Sequence, residues 1–168
     1  GASRGEGLGN KFLHHIREAD VLAHVLRTFS DPEVSHVQGE IDSVRDMEIV
    51  ETELYLSDIE RVESRIEKEK KQMKAQKKKE RKDLEFLEGL RKRLSEQKKT
   101  KPEALSHHEK DILEELDLLT MKPVIYVLNT CEDAAGDIEN RAEEIKRRGA
   151  GSSVIVISAK IECEITEL

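Results

Sequence analysis

Two strand ends carry the side chains on which chemistry could be built. Lys122-Pro123-Val124-Ile125-Tyr126-Val127-Leu128 reads as a buried strand, 124–128, that stops at a polar turn, Asn129-Thr130-Cys131-Glu132. A second strand, Ser153-Val154-Ile155-Val156-Ile157-Ser158, stops as abruptly at Ala159-Lys160. In open α/β sheets, ligands bind in the crevice beyond the carboxyl ends of parallel strands. Asn129-x-x-Glu132 at one end and Ser158-Ala159-Lys160 at the next suit a nucleotide base. Either half alone is an ordinary polar turn after a strand.

The chemistry of the first turn has a direction. GTP-binding proteins place an Asn-Lys-x-Asp turn here, its Asp accepting from two donors on guanine. In this chain Thr130 stands for the Lys and Glu132 for the Asp. A site built to pair one polar edge rejects a ligand that lacks it. Moving the carboxylate outward by one methylene therefore weakens the preference for guanine and admits ATP.

The elements that must position these turns follow from periodicity. Lys11 to Ala19 predicts a helix with Phe12, Leu13 and Ile16 on one face. The strand Val21 to Phe29 is apolar apart from His24 and Arg27, as in a buried parallel strand. Asp31-Pro32 breaks it. His36, in the loop that follows, is from its surroundings a solvent-exposed bystander. Ser43 or Asp46 then caps a long helix, along which Val50, Leu54, Ile59, Val62 and Ile66 form one stripe. After a basic run, Leu84, Leu87, Leu90 and Leu94 resume the stripe, and Thr100-Lys101-Pro102 ends it. Two facing stripes predict an antiparallel, coiled-coil-like hairpin.

Ser106-His107-His108-Glu109 has the pattern of a capping box. It opens a helix with Ile112, Leu113, Leu116 and Leu119 buried. The adjacent His107 and His108 point to different faces and make no metal pair. Ile138, Ala142 and Ile145 mark a crossover helix closed by Gly149 and Gly151, completing a βαβ unit with the two functional strands. The fold class is α/β, with core strands at 21–29, 124–128 and 153–158 and a helical insertion. Such a three-stranded parallel sheet is small and leaves edges exposed.

Composition bounds the rest. Across 168 residues, 39% are charged and 3% aromatic, which fits a modest core with a long solvated helical segment. The net charge of −7 hides a basic run: Lys68 to Lys82 holds nine Lys/Arg against two Glu. Lys74, Lys77, Lys78, Lys79, Arg81 and Lys82 at the expected hairpin tip could bind a polyanion, or could simply keep the hairpin end soluble. Cys131 and Cys163 are too few for a disulfide framework or metal site. With no apolar run long enough to span a membrane and no signal-peptide pattern, a cytoplasmic protein is expected. Gly5, Gly7 and Gly9 alternate, matching neither phosphate-binding fingerprint.

Taken together, several stretches resemble the YchF (Obg-like ATPase) family of TRAFAC P-loop NTPases. They are Gly1-Ala2-Ser3-Arg4-Gly5-Glu6-Gly7-Leu8-Gly9-Asn10-Lys11-Phe12-Leu13, Ile16 to Asp20, His36-Val37, Glu48 to Leu54, Asn129-x-x-Glu132 and Ala159 to Leu168. The resemblance runs along essentially the whole chain. It implies a parallel, Rossmann-like sheet interrupted by a coiled-coil hairpin: residues 1–42 and 120–168 as parts of the G domain, 43–119 as the insertion. It also implies that Gly5, Gly7 and Gly9 belong to the second switch, and that His36 works near the γ-phosphate.

The family's G-x-x-x-x-G-K-[ST] loop, first switch threonine and D-x-x-G motif do not occur in this sequence. They are expected upstream of Gly1, and a β-rich TGS domain after Leu168. The chain is then the second half of a G domain plus its hairpin. The parent would be an ATP or GTP hydrolase that uses Mg²⁺, whose ligands lie outside this chain, and would have the ribosome or RNA as partner. Because P-loop amides and Lys hold the phosphates, the chain alone is expected to be inactive. The leading alternative is a non-enzymatic helical module that binds RNA or the ribosome through the basic tip. The oligomeric state stays open, since two amphipathic stripes can pair within a chain or between chains.

Overall fold

A computed structural model describes residues 8–29, 41–73, 80–98, 104–131, 137–149 and 152–167. The chain runs α1 (Leu8–Glu18), β1 (Leu22–Arg27), α2 (Ser43–Met73), α3 (Glu80–Ser95), α4 (His107–Leu116), a 3-10 turn (Leu119–Met121), β2 (Val124–Asn129), α5 (Ile138–Arg148), β3 (Ser153–Ile157) and α6 (Ala159–Thr166). It divides into two compact units. One is Gly1–Ala19 with Glu51–Lys122, and the other is Asp20–Val50 with Pro123–Leu168.

The second unit is built on a parallel sheet ordered β1-β2-β3. Its covered face carries Leu26, Tyr126 and Leu128, packed with Met47 from the start of α2 and Ile145 of α5. His24 pairs in register with Tyr126, its ring 5.7 Å from the tyrosine ring. Burial lowers the His24 pKa, a shift that the nearby Asp46 carboxylate only partly opposes, so the half-buried ring favours its neutral form. The apolar run of β1 leads one to expect burial on both faces, yet Val25 is 61% exposed and Ile155, on the same face, 47%. Among the described residues, α5 and the start of α2 cover one side only.

Gly149 does close α5, but not in the left-handed conformation usual for a helix-ending glycine. Its φ is −69°. Glycine is required there by close approach: a Cβ would stand 2.6 Å from Cε2 of Tyr126, a ring locked in the core.

In the first unit the expected α2–α3 hairpin packs with a further helix, α4, around one core. Tyr55, Val62 and Ile66 of α2, Leu87, Leu90 and Leu94 of α3, and Ile112, Leu113 and Leu116 of α4 form one core. Ion pairs fix the register: Glu63–Arg91 at 3.4 Å and Lys70–Glu88 at 3.0 Å join α2 to α3, while Arg65–Glu115 at 3.1 Å brings in α4. His108 Nε2 lies 2.8 Å from Asp83 Oδ1, tying α4 to α3. Exposed pairs of this kind contribute little energy each; they select one alignment. The hairpin tip, 74–79, lies outside the described residues.

Helix ends differ from expectation in two places. The cap of α2 is Asp42, whose Oδ1 accepts from the N–H groups of Val44 and Arg45, and neither Ser43 nor Asp46. Asp42 precedes Val50, the first residue of the apolar stripe, by about two turns, which hides it from periodicity. Likewise α3 stops at Ser95, before Thr100-Lys101-Pro102. Gln97 adopts φ 51°, and the amides of Gln97 and Lys98 donate to the carbonyls of Leu94 and Arg93, a Schellman ending without glycine. The capping box at Ser106 and Glu109 forms as expected.

On α1, Leu13 is buried while Phe12 is 59% exposed, because adjacent residues diverge by about 100° on a helix. The inward face instead carries Arg17. Its guanidinium donates to the Asp117 carbonyl at 2.7 Å, to Ser57 Oγ at 2.8 Å and to Asp58 Oδ1 at 3.5 Å. Asp58 is fully buried. Its two oxygens accept from the backbone N–H groups of Leu119 at 2.9 Å and Thr120 at 2.8 Å. Asp117, at φ 42°, is held further by Lys122 Nζ at 3.0 Å. One buried carboxylate thus joins α1, α2 and the 3-10 turn.

Candidate functional site

The carboxyl ends of β1, β2 and β3 meet at Asn129. Its backbone carbonyl accepts from Thr28 twice, from the N–H at 3.0 Å and from Oγ1 at 3.1 Å. Its side-chain Oδ1 accepts from the N–H of Ala159 at 3.0 Å. The next residue, Thr130, donates its N–H to the Ile157 carbonyl at 2.8 Å. Asn129, the last residue of the central strand, and Thr130, one step past it, therefore staple both neighbouring strand ends.

This arrangement comes from local sequence. Parallel register places Arg27 beside Asn129 and Asn129 beside Ile157, so the three strands end together. Ser158 then caps α6, its Oγ accepting from Ile161 N–H, and turns the chain away from the sheet at the crevice. Lys160 is exposed in the first turn of α6. Ala159 uses the amide oxygen of Asn129, and among the described residues the amide nitrogen keeps two donors, which suit a carbonyl or ring-nitrogen acceptor of a planar base.

Asn129, Thr130, Ser158, Ala159 and Lys160 are thus brought to one sheet end, as their spacing implies. Glu132, His36, Gly5 and Gly7 lie outside the described residues. Gly9 is helical, within the first turn of α1. Of the basic residues assigned to the tip, Lys74, Lys77, Lys78 and Lys79 lie outside the described residues, while Arg81 and Lys82 are exposed at the start of α3.

Thr28 was missed by sequence reasoning. It fixes the Asn129 carbonyl while only 9% exposed, and its signal was available: a hydroxyl residue one step past the strand, level with the base turn. Arg27 lies 5.9 Å over the Phe29 ring at the same edge. Among the described residues no group of three or more His, Cys, Asp or Glu could hold a metal ion. No described helix is long and apolar enough to cross a membrane.

No protein-family model matches the chain. It is 41% identical, over its whole length, to a protein named ribosome-binding ATPase YchF from Bacillus subtilis. It is 36% identical to the protein of that name from Escherichia coli O157:H7, and 39% identical over 79% of its length to Obg-like ATPase 1 of Caenorhabditis elegans. A solved structure described as the Schizosaccharomyces pombe YchF GTPase superposes over all of this chain with a TM-score of 0.78 at 33% identity. The chain spans about half the length of these whole-length matches, 47% in each case.

Proposed function

Since the chain belongs to the YchF/Obg-like ATPase family, we propose that it is the base-recognition half of a P-loop NTPase that binds and hydrolyses ATP, and accepts GTP less well. The observation that supports this most is the Asn129 staple, which holds two turns in register at the strand ends with amide donors to spare. In this reading Asn129, Thr130 and Glu132 read the base. Ser158, Ala159 and Lys160 form the opposite wall, and Thr28 keeps the first turn in place. His36 orients water or stabilises charge at the γ-phosphate, as a loop imidazole can, and Gly5, Gly7 and Gly9 belong to the moving switch. The groups that hold Mg²⁺ and the phosphates in this reading belong to motifs this sequence does not contain, and the chain alone is expected not to hydrolyse nucleotide.

Thr130→Lys combined with Glu132→Asp, made in the full chain that carries this sequence, is expected to shift the ATP/GTP affinity ratio toward GTP by roughly tenfold or more. Equilibrium titration with labelled ATP and GTP measures it. An unchanged ratio would sink the assignment of the turn.

A second reading concerns the helical unit. Relatives named ribosome-binding and the lysine-rich run 68–82 support a contact with RNA at the hairpin tip. Reversing the charge of Lys77, Lys78 and Lys79 is then expected to weaken RNA binding and its salt dependence. Retained binding at all salt concentrations counts against the tip.

A further inference from the structure

Few points hold α1 to the helical unit. From Phe12 to Glu18 only Leu13 is buried, with Ile16 half-buried. His14 and His15 face Glu18 of the same helix, at 3.8 and 3.6 Å, so those pairs add no tie to another element. A helix of 11 residues is marginal by itself in water. Its stability therefore comes from docking.

The strongest polar hold is Arg17. Nη1 donates to the Asp117 carbonyl at 2.7 Å and lies 3.5 Å from Asp58 Oδ1, while Nη2 donates to Ser57 Oγ at 2.8 Å. The two short bonds go to neutral acceptors and the long one to the carboxylate. Asp58 keeps two donors of its own, the N–H groups of Leu119 and Thr120. When Arg17 lifts away, Asp58 stays bonded twice and the guanidinium regains water. Neither α2 nor the 3-10 turn has to unfold.

The place of this joint in the chain gives it a consequence. The chain passes between its two compact units after Ala19, Val50 and Lys122. Arg17 stands two residues before the first passage, Asp58 eight after the second and Thr120 two before the third. The joint thus gathers all three connections inside the helical unit. The other end of α1 begins at Leu8, with Gly9 in its first turn and Gly5 and Gly7 just before it.

We propose that α1 is a releasable latch on nucleotide hydrolysis. Docked through Arg17 on Ser57, Asp58 and the Asp117 carbonyl, it holds the glycine segment that precedes it in the course hydrolysis requires. Released, it lets that segment change course. Arg17 is then a positioning residue, acting through α1 and touching no nucleotide. Arginine suits the task because its planar fork reaches a carbonyl and a hydroxyl at once, which the single ammonium of lysine does less well. This inference rests on the hydrolase reading above, in which Gly5, Gly7 and Gly9 belong to the moving switch.

The test uses the full chain that carries this sequence, with hydrogen exchange read over Leu8–Glu18 and steady-state ATP hydrolysis measured in parallel. In the unaltered chain, α1 is expected to exchange roughly fivefold or more faster with ADP than with a non-hydrolysable ATP analogue. Arg17→Lys, which keeps a charge beside Asp58, should make exchange fast with both nucleotides. It should also lower kcat roughly fivefold or more while KM for ATP holds. Ser57→Ala, which removes one leg of the fork, should act in the same direction and less strongly. His108→Ala serves as the control, since it breaks the tie to Asp83 in the same helical unit and should leave kcat at the parent value. Equal loss of kcat in His108→Ala and Arg17→Lys marks general loosening and overturns the latch. ATP hydrolysis by the unaltered chain with α1 exchange alike in both nucleotides overturns it too, as does parent kcat in both Arg17→Lys and Ser57→Ala. Absence of hydrolysis by the unaltered full chain overturns the hydrolase reading and the latch with it.

Discussion

Asp58→Ala is expected to destabilise the helical unit by about 3–5 kcal/mol, the range for removing one partner of a buried, hydrogen-bonded ion pair. The substitution strands the Leu119 and Thr120 amides and leaves Arg17 without its carboxylate. Hydrogen exchange at those two amides is the direct readout, since global melting of a chain with two units need not be two-state. Protection there is expected to fall by two to four decades. Arg17→Met with Asp58→Leu strands the same two amides but no charge, so it should cost less than Asp58→Ala by the share owed to the unpaired guanidinium. Loss of less than about 1 kcal/mol in the Ala variant, the range of an ordinary surface pair, would falsify the clamp.

Acid adds an independent signature. Burial raises the Asp58 pKa above its ordinary 3.8, outweighing the backbone hydrogen bonds and Arg17 that lower it. The folded state therefore takes up this proton at higher pH than the unfolded chain. The contribution of Asp58 to stability consequently rises as pH falls through the folded pKa, and levels off below the unfolded value. Asp58→Asn should remove that slope.

Asn129→Ala is expected to weaken nucleotide binding by the full chain by about 2–4 kcal/mol, roughly 30- to 1,000-fold in Kd. It removes the amide donors and, with them, the acceptor that holds Ala159. Asn129→Asp separates the two roles, because its carboxylate still accepts from Ala159 N–H while the donors are gone. If Asn129 reads the base, Asp fails nearly as badly as Ala. If it only positions α6, Asp binds like the parent. Isothermal titration with ATP decides between them.

Much of this molecule was legible without coordinates. Stripes at helical spacing located Val62, Ile66, Leu87, Leu90, Leu94, Ile112, Leu113 and Leu116, all of them buried, because burial of an apolar face is written in a period of 3.6. The capping box at Ser106 was legible because both halves of a reciprocal bond lie within four residues. The site turns were legible for a similar reason: apolar strands that stop at polar residues mark where a parallel sheet meets solvent.

Other features were decided only by tertiary packing. Nothing in the spacing of Phe12, Leu13 and Ile16 shows that α1 joins the helical unit, since that depends on Arg17 meeting Asp58 across 41 residues. The third helix of the core, the Thr28 contact to Asn129 and the need for glycine at 149 also rest on partners distant in sequence. An apolar strand declares that it can be buried on both faces. Which face is covered depends on where α5 and α2 land, and the sheet here covers Leu26, Tyr126 and Leu128 while Val25 stays exposed. Local periodicity and caps are fixed by neighbours along the chain. Register, clamps and close approaches are fixed by pairs that only folding brings together.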